Sequence, residues 1–459
     1  MKFAACFLCL LGCLRVWGQT PALCPGSWTM VHIPDTQNYV SDAVRTEIAN
    51  GQMNWIRDNR GRMDIRMAVQ VGDLVNDNLT IQWVRVRSAF DRLTGVVPYA
   101  LSSGNHDCGP GGNGNTRATM FSEDAYFGPG SPYAGQGTAG GFFQHPDDAP
   151  GNTQNAWHTF RAGRQDFLIL TCEWGPRNKV VEWMGSVVAA HPFHRAILVC
   201  HAYMDTGAAR LDWALSRTSM NPHYFGIAAD PDGVNDGQDL WEKLVKRYEN
   251  FCLVCCGHAG RGFRTVTGIN GNKVHEMLFN TQEMVNGGDG WMRLLEFLPD
   301  GRTVRARTWS SYKNLWDDTA AGNFEFTLSP VSSTDTDGDG LPDYYEAQHG
   351  WRLEYAGNAT ADSDHDGVSN LEEFRAGTSP LDASSCLRIR SVSAGAQEVT
   401  LEWESVPGVR YQIQECAALS GAPWENAGAV MTAASLTTRK TVPCSEARRF
   451  FRIAATTGL

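Results

Sequence analysis

The chain has no surplus of positive charge: 39 Lys and Arg stand against 50 Asp and Glu, a formal net charge of −11 at pH 7. Nucleic-acid binding tracks phosphates with a basic face, so no extended nucleic-acid interface is expected. Nor does any stretch beyond the first residues reach the roughly 20 apolar residues that a membrane helix needs, so no membrane span is expected. Gly287-Gly288-Asp289-Gly290 has neither a lysine nor a helix signal after it, which reads as a turn and excludes a nucleotide loop. The C-x-x-C of Cys252 and Cys255 lies inside the apolar run Phe251–Cys256. Residues three apart on a strand face opposite sides, so these are read as buried free thiols rather than a metal grip.

What is present describes a folded, exported chain. Apolar residues make up 42% and charged residues 19% of 459, too long for one ordinary domain, so two or three are expected. Lys2, the apolar run Phe3–Leu14 and the small-residue context Val16-Trp17-Gly18 read as a secretory leader over 1–18, cleaved after Gly18. A rival reading places a lipidated Cys13 in Leu10-Leu11-Gly12-Cys13. The protein is expected to be secreted, periplasmic or extracellular. Thirteen cysteines less Cys6, Cys9 and Cys13 leave ten beyond the leader. Export permits disulfides, whose pairing cannot be read from sequence. Cys386, Cys416 and Cys444 leave at least one C-terminal cysteine without a local partner.

Three regions follow the leader. Over 19–329, short apolar runs (Trp28–Ile33, Met67–Val71, Val96–Leu101, Phe167–Thr171, Ala196–Cys200, Phe251–Cys256) alternate with amphipathic stretches near Asp42–Arg60, Thr80–Leu93, Lys179–His191 and Gln238–Tyr248. That alternation argues for a layered α/β fold, whose functional residues gather past the strand carboxyl ends. Two aspartate-rich loops occupy 330–384. From 385 to 459 the period-2 patterns Val399–Trp403 and Val409–Ile413 predict a small antiparallel β-sandwich.

Five motifs follow strand-like runs in order: Pro34-Asp35-Thr36-Gln37, Gly72-Asp73-Leu74-Val75-Asn76, Gly104-Asn105-His106-Asp107, Cys200-His201-Ala202-Tyr203 and Gly257-His258-Ala259-Gly260-Arg261. Turn chemistry favours Asp, Asn and Gly but does not explain the histidines in this order. Carboxylate, amide and imidazole ligands with no thiolate suit Mn²⁺, Fe, Zn²⁺ or Mg²⁺. On separate loops they are able to hold two ions about 3.5–4 Å apart, the spacing used for in-line attack on phosphorus.

From Trp28 to about Asn314 the sequence resembles the calcineurin-like metallophosphoesterases, whose usual order is D-x-H, G-D-x-x-[ND], G-N-H-[DE], a lone His and G-H-x-H. The resemblance implies a layered α/β/β/α sandwich and a two-metal site. It implies that Asp73 bridges two divalent ions, that Asn105, His201 and His258 complete the second site, and that Asp35 anchors the first. His106 would donate a proton to the leaving oxygen, oriented by Asp107, with a metal-bridging hydroxide as nucleophile. Gln37 and Gly260 depart from the pattern by standing where histidines are usual. Gln37 offers a side-chain carbonyl and Asn76 another oxygen, so the first site would be harder, with Mn²⁺ favoured. Arg261 beside the missing ligand is read either as a bidentate phosphate grip or as a surface arginine. Glu173, past Phe167–Thr171, is read as supporting the ligands, and His158 and Asn155 as structural.

The acidic loops carry calcium chemistry. In Asp335–Glu346, oxygens of Asp335, Asp337, Asp339, Asp343 and Glu346 fall at loop positions 1, 3, 5, 9 and 12, with Gly340 at 6 and the Leu341 carbonyl at 7. Asp362, Asp364, Asp366, Asn370 and Glu373, with Gly367 and the Val368 carbonyl, repeat the scheme. The repetition excludes a merely solvated linker. Without full flanking helices the pair resembles thrombospondin type 3 or dockerin-like repeats, implying Ca²⁺ bound with dissociation constants on the order of 10⁻⁴–10⁻³ M.

The expected function is hydrolysis of a phosphate mono- or diester outside the cytoplasm. The alternative is a binding protein without turnover whose C-terminal domain docks on a surface polysaccharide or partner. Specificity is expected in glycine-rich loops such as Cys108–Gln154, which do not name the ester.

Overall fold

The computed structural model describes residues 23–332, 334–420, 422–444 and 449–456. The leader expected over 1–18, and the alternative at Cys13, lie outside them. The chain runs through strands β1 (Trp28–Ile33), β2 (Ile65–Gln70), β3 (Tyr99–Leu101), β4 (Ala139–Phe142), β5 (Ala156–Ala162), β6 (Gln165–Thr171), β7 (Arg195–Val199), β8 (Phe251–Cys256), β9 (Arg261–Thr267), β10 (Lys273–Phe279), β11 (Trp291–Phe297), β12 (Thr303–Ser310), β13 (Leu315–Trp316) and β14 (Asn323–Thr327). They form two seven-stranded sheets. One has the order β13-β12-β11-β1-β2-β3, with β14 also on β12; the other has the order β4-β5-β6-β7-β8-β10-β9.

Period-2 alternation decides the layering. Met30, Met67 and Val69 of the first sheet meet Phe167, Ile169, Ile197, Val199 and Leu253 of the second in a core between the sheets. At its centre Trp28 stacks on Phe297 with centroids 4.1 Å apart and meets Phe167 edge-on at 4.9 Å. The opposite faces carry helices. Val31 and Ile33 pack with Ile48, Met53 and Ile56 of helix Ala43–Asn59 and with Trp83, Val86 and Phe90 of helix Thr80–Phe90. Leu168, Leu198 and Val254 pack with Val180, Met184 and Val188 of helix Asn178–Ala190. These spacings place one apolar stripe per helix on its sheet. The layered α/β/β/α sandwich is therefore the observed architecture.

The C-x-x-C departs from its expected geometry. β7 and β8 pair with a slip, Phe251 opposite Ala196 and Leu253 opposite Ile197. The extra residue, Cys252, interrupts alternation as a bulge does, so Cys252 and Cys255 both lie in the core between the sheets. Both are buried and unbridged, as are Cys108, Cys172, Cys200, Cys256, Cys386 and Cys416.

Beyond the sandwich, short helices Asp343–His349 and Asn370–Ala376 each close an acidic loop. Then come β15 (Ile389–Ala394), β16 (Glu398–Glu404), β17 (Arg410–Cys416), β18 (Glu425–Asn426), β19 (Met431–Thr432), β20 (Thr437–Pro443) and β21 (Phe450–Thr456). Sheets β15-β16-β20 and β18-β17-β19, with β21 on β17, are antiparallel and share a core that includes Leu401, Trp403, Tyr411, Ile413 and Val442. This is the small sandwich that the alternation predicts. No helix among the described residues is long and apolar enough to cross a membrane.

Candidate metal centre at the strand ends

Strands β1, β2 and β3 are mutually parallel, as are β6, β7, β8 and β10. Their carboxyl ends deliver Asp35, Asp73, Asn105, His201 and His258 to one edge of the sandwich. Two of these residues hold left-handed backbone, Asp73 at φ 51° and His258 at φ 78°. Such a conformation costs a non-glycine residue about 1–2 kcal/mol and persists where surroundings enforce it. The Asp73 carbonyl accepts from Thr36 N at 3.0 Å and Gln37 N at 2.9 Å, and His258 N donates to Asp35 Oδ2 at 3.1 Å. The motif glycines make room: a Cβ on Gly104 would meet Asp73 Oδ1 at 2.2 Å, and one on Gly257 would meet Asp35 Oδ1 at 2.2 Å.

His201 organises the cluster. Its Nδ1 donates to the Val71 carbonyl at 2.9 Å, which turns Nε2 inward. Nε2 lies 3.1 Å from Asn105 Oδ1, 3.1 Å from Asp73 Oδ2 and 2.9 Å from His258 Nδ1. His258 Nε2 is buried without a hydrogen-bond partner. Carboxylate, amide and imidazole donors converging in this way suit a divalent cation. One proton bridges the two imidazoles, and it belongs to His201. Burial disfavours charge on His201, but Asp73 and Asp35 outweigh it and hold the ring at about 9. Burial and the His201 charge push His258 down to about 3. Burial works against the Asp73 carboxylate, yet His201 and the neighbouring imidazoles bring it to about 2. This donor set fits a divalent ion held by Asp73, Asn105, His201 and His258.

Asp35 and Gln37 adjoin it in an amide-rich corner. Asp35 Oδ2 accepts from Asn280 Nδ2 at 2.7 Å, while burial pushes its carboxyl well above the usual range. Gln37 Nε2 donates to Gln282 Oε1, and Gln37 Oε1 is buried without a partner. Gln282 is itself held: its N donates to Asn280 Oδ1 at 3.0 Å and its Nε2 to the His258 carbonyl at 3.2 Å. Neither Asn280 nor Gln282 is singled out by the sequence reading. Their one signal is position, since Asn280-Thr281-Gln282 directly follows β10, parallel to β8.

Three expected roles take a different form. Asp107 does not touch the His106 ring; its carboxylate accepts from Val75 N at 2.9 Å and Gly104 N at 2.8 Å. Burial and the Asp73 charge raise it to about 7, against those bonds. His106 is oriented by Asn76, whose carbonyl accepts from Nδ1 at 2.8 Å, and the His106 N donates to Asp73 Oδ1 at 2.9 Å. The side-chain nitrogen of Asn76 donates to Asp77 at 2.8 Å. Arg261 forms a 2.6 Å ion pair with Asp317 and lies over the Phe279 ring at 5.4 Å. Adjacency to His106 thus brings the Asp107 carboxylate to the loop backbone rather than to the imidazole. Glu173 is fully enclosed by Arg177 at 2.7 Å, Arg117 at 3.3 Å and Asn155 at 3.2 Å. The ring of its neighbour Trp174 lies 5.8 Å from both His201 and His258. His158 is buried in β5 and held near 4 by burial, a structural position.

In the acidic loops Asp335, Asp337 and Asp339 converge, as do Asp362, Asp364 and Asp366. Glu346 Oε2, both Glu373 oxygens, and Oδ2 of Asp337, Asp364 and Asp366 are buried without partners, which fits a cation at each loop. Glycine amides brace position 1: Gly340 N donates to Asp335 Oδ2 and Gly367 N to Asp362 Oδ2, both at 2.9 Å. The position-9 side chains close the loops, Asp343 accepting from Thr336 N at 2.7 Å and Asn370 from Ser363 N at 3.3 Å.

Over 317 residues the chain is 28% identical to the uncharacterized protein YvnB of Bacillus subtilis (strain 168), covering 66% of this chain but 22% of that relative. Among solved structures, a purple acid phosphatase from yellow lupin (Lupinus luteus) seeds is similar with a TM-score of 0.40 and 16% identity, over 66% of this chain and 55% of that one. The NAD nucleotidase of Haemophilus influenzae is similar with a TM-score of 0.34 and 10% identity, over 66% and 50%. Residues 335–350 and 362–383 match the bacterial TSP3 repeat model. The acidic loops and their closing helices are thus a bacterial TSP3 repeat.

Proposed function

We propose that this chain is an exported, metal-dependent phosphoesterase that hydrolyses a phosphate mono- or diester. One observation carries the reading: His201 Nε2 faces Asn105 Oδ1, Asp73 Oδ2 and His258 Nδ1 at 2.9–3.1 Å, a buried donor set that calls for a cation. When bound there and beside Asp35 and Gln37, divalent ions would set positive charge against phosphoryl oxygens and lower a water's pKa. An oxygen and nitrogen donor set without thiolate accommodates Mn²⁺, Fe, Zn²⁺ or Mg²⁺, with Mn²⁺ favoured.

The protein's own groups divide the remaining work. His106 is only half-buried, and its Nδ1–H is committed to the Asn76 carbonyl. Its Nε2 is therefore free to hold a proton for the leaving oxygen, the usual task of a general acid. Asp107 keeps the two loops carrying Asp73 and His106 in register through Val75 N and Gly104 N. Calcium in the TSP3 repeat would stiffen the link to the C-terminal sandwich.

The test is turnover of paired aryl phosphomonoester and phosphodiester substrates by metal-stripped protein with Mn²⁺, Mg²⁺, Zn²⁺ or Fe²⁺ restored. Recovery with metal supports the proposal, and the preferred ester defines the reaction. No turnover with any metal favours the other reading, a protein that binds through its C-terminal domain.

A further inference from the structure

The end of the sandwich opposite the metal cluster carries a second concentration of charge. The β5–β6 turn, the β11–β12 turn, helix Asp343–His349 and the segment after helix Asn370–Ala376 enclose a cavity of about 490 Å³. Four arginines line it, Arg161, Arg164, Arg195 and Arg302, in a chain whose net charge is −11. Arg161 is neutralised by Asp166 at 2.7 Å. The other three have no carboxylate within ion-pair distance among the described residues. Arg195 is 4% exposed and donates to neutral oxygens of Gln165 at 2.6 Å, Ser329 at 2.8 Å and Gly301 at 3.1 Å. Arg164 reaches the Phe374 carbonyl with one nitrogen at 3.3 Å, and its buried Nη1 has no partner. The lining carboxylate, Asp300, is occupied by Thr303 and by its own turn's amides.

We propose that this cavity binds an oxyanion, a sulfate or phosphate group free or carried on a small organic body, at a site separate from the metal cluster. Neutral carbonyls satisfy donor geometry but leave the charges of Arg164 and Arg195 uncompensated in a partly dry space, which an anion offsets, with the exposed Arg302 on the same lining. Guanidinium forks match tetrahedral oxyanions bidentately. Burial holds Arg164 and Arg195 below the ordinary arginine range, as expected of cations without a counter-ion. The Tyr345 hydroxyl, buried without a partner, adds a neutral donor on the same wall. A volume near 490 Å³ exceeds a bare anion and lies within the range of small-ligand sites. The walls come from the α/β/β/α body, the TSP3 repeat and the C-terminal sandwich together, so the ligand would tie all three.

The experiment titrates full-length protein with sodium sulfate, against sodium chloride at equal ionic strength, by calorimetry and thermal unfolding. Wild type and the metal-cluster variant His258→Ala should bind sulfate equally. Arg302→Gln, on an exposed turn, and Arg164→Met should each bind roughly ten- to a hundredfold more weakly, the value of a hydrogen bond to charge. Circular dichroism identifies any variant that fails to fold, and Arg302→Gln keeps the test decisive if Arg164→Met does. A sulfated monosaccharide that binds more tightly than inorganic sulfate indicates a carried group; equal affinity indicates the free anion. Undiminished binding in both arginine variants, or loss in His258→Ala, overturns the proposal.

Discussion

His201 Nε2 lies 2.9 Å from His258 Nδ1, a contact that one hydrogen must bridge. The carboxylates hold His201 at about 9 despite burial while His258 is pushed down to about 3, so His201 carries the bridging proton. A metal needs the lone pair that this proton occupies. Binding of Mn²⁺ at pH 7 should therefore release about one proton, read from calorimetry in buffers of different ionisation enthalpy. Affinity should rise with pH up to about 9. Binding without proton release would contradict this account of the pair.

His106→Ala should lower turnover roughly 10²- to 10⁴-fold while metal content is unchanged, because the ring contacts Asn76 rather than the cluster's imidazoles. Asp107→Ala should behave differently. It strands two buried amides, Val75 N and Gly104 N, and should cost about 1–3 kcal/mol of stability in denaturant titration.

Gln282→Ala should free the Gln37 amide and the His258 carbonyl from their shared clamp. Elemental analysis should then find one tightly held ion per chain, the one at His201 and His258. Retention of two ions at wild-type affinity would show that Gln282 does not order that corner.

Gly260→His, which supplies the second histidine of a G-H-x-H pattern, should destabilise the protein instead of tightening metal binding. Gly260 sits at φ +65°, and a Cβ there would meet Thr206 Cγ2 at 2.7 Å. The left-handed backbone alone should cost about 1–2 kcal/mol. A raised unfolding temperature with tighter metal would refute this.

The TSP3 repeat should respond to pH in opposite senses with and without calcium. Burial, then Asp364 and its neighbours, raise Glu373 from 4.5 to about 7. The folded, ion-free loop thus keeps a proton that the unfolded chain releases. That contribution to stability is complete below 4.5 and is lost as pH rises through about 7. Calcium requires the carboxylate, so its affinity should increase over the same interval. Thermal unfolding at pH 5 and pH 8, with chelator and with millimolar Ca²⁺, should show the two slopes.

The sequence by itself determined the layers and which side chains gather at the strand ends. Strand–helix alternation follows from which residues must leave water, and Trp28–Ile33 and Phe251–Cys256 are strands with the expected bounds. Asp35, Asp73, Asn105, His201 and His258 were legible because each follows a strand end, and parallel strands bring such ends to one edge. Calcium spacing was legible because a twelve-residue loop is local.

Only the tertiary structure decided which partners those groups meet. Asp107 turns to backbone amides, Asn76 acts through its carbonyl, Arg261 pairs with Asp317 fifty-six residues away, and Asn280 and Gln282 enter from β10. The bulge that puts Cys252 and Cys255 on one face arises from pairing with β7. Hydrogen bonds and ion pairs select by distance in space, whereas motif spacing records distance along the chain. The two coincide within a turn or strand and part company wherever separate elements pack.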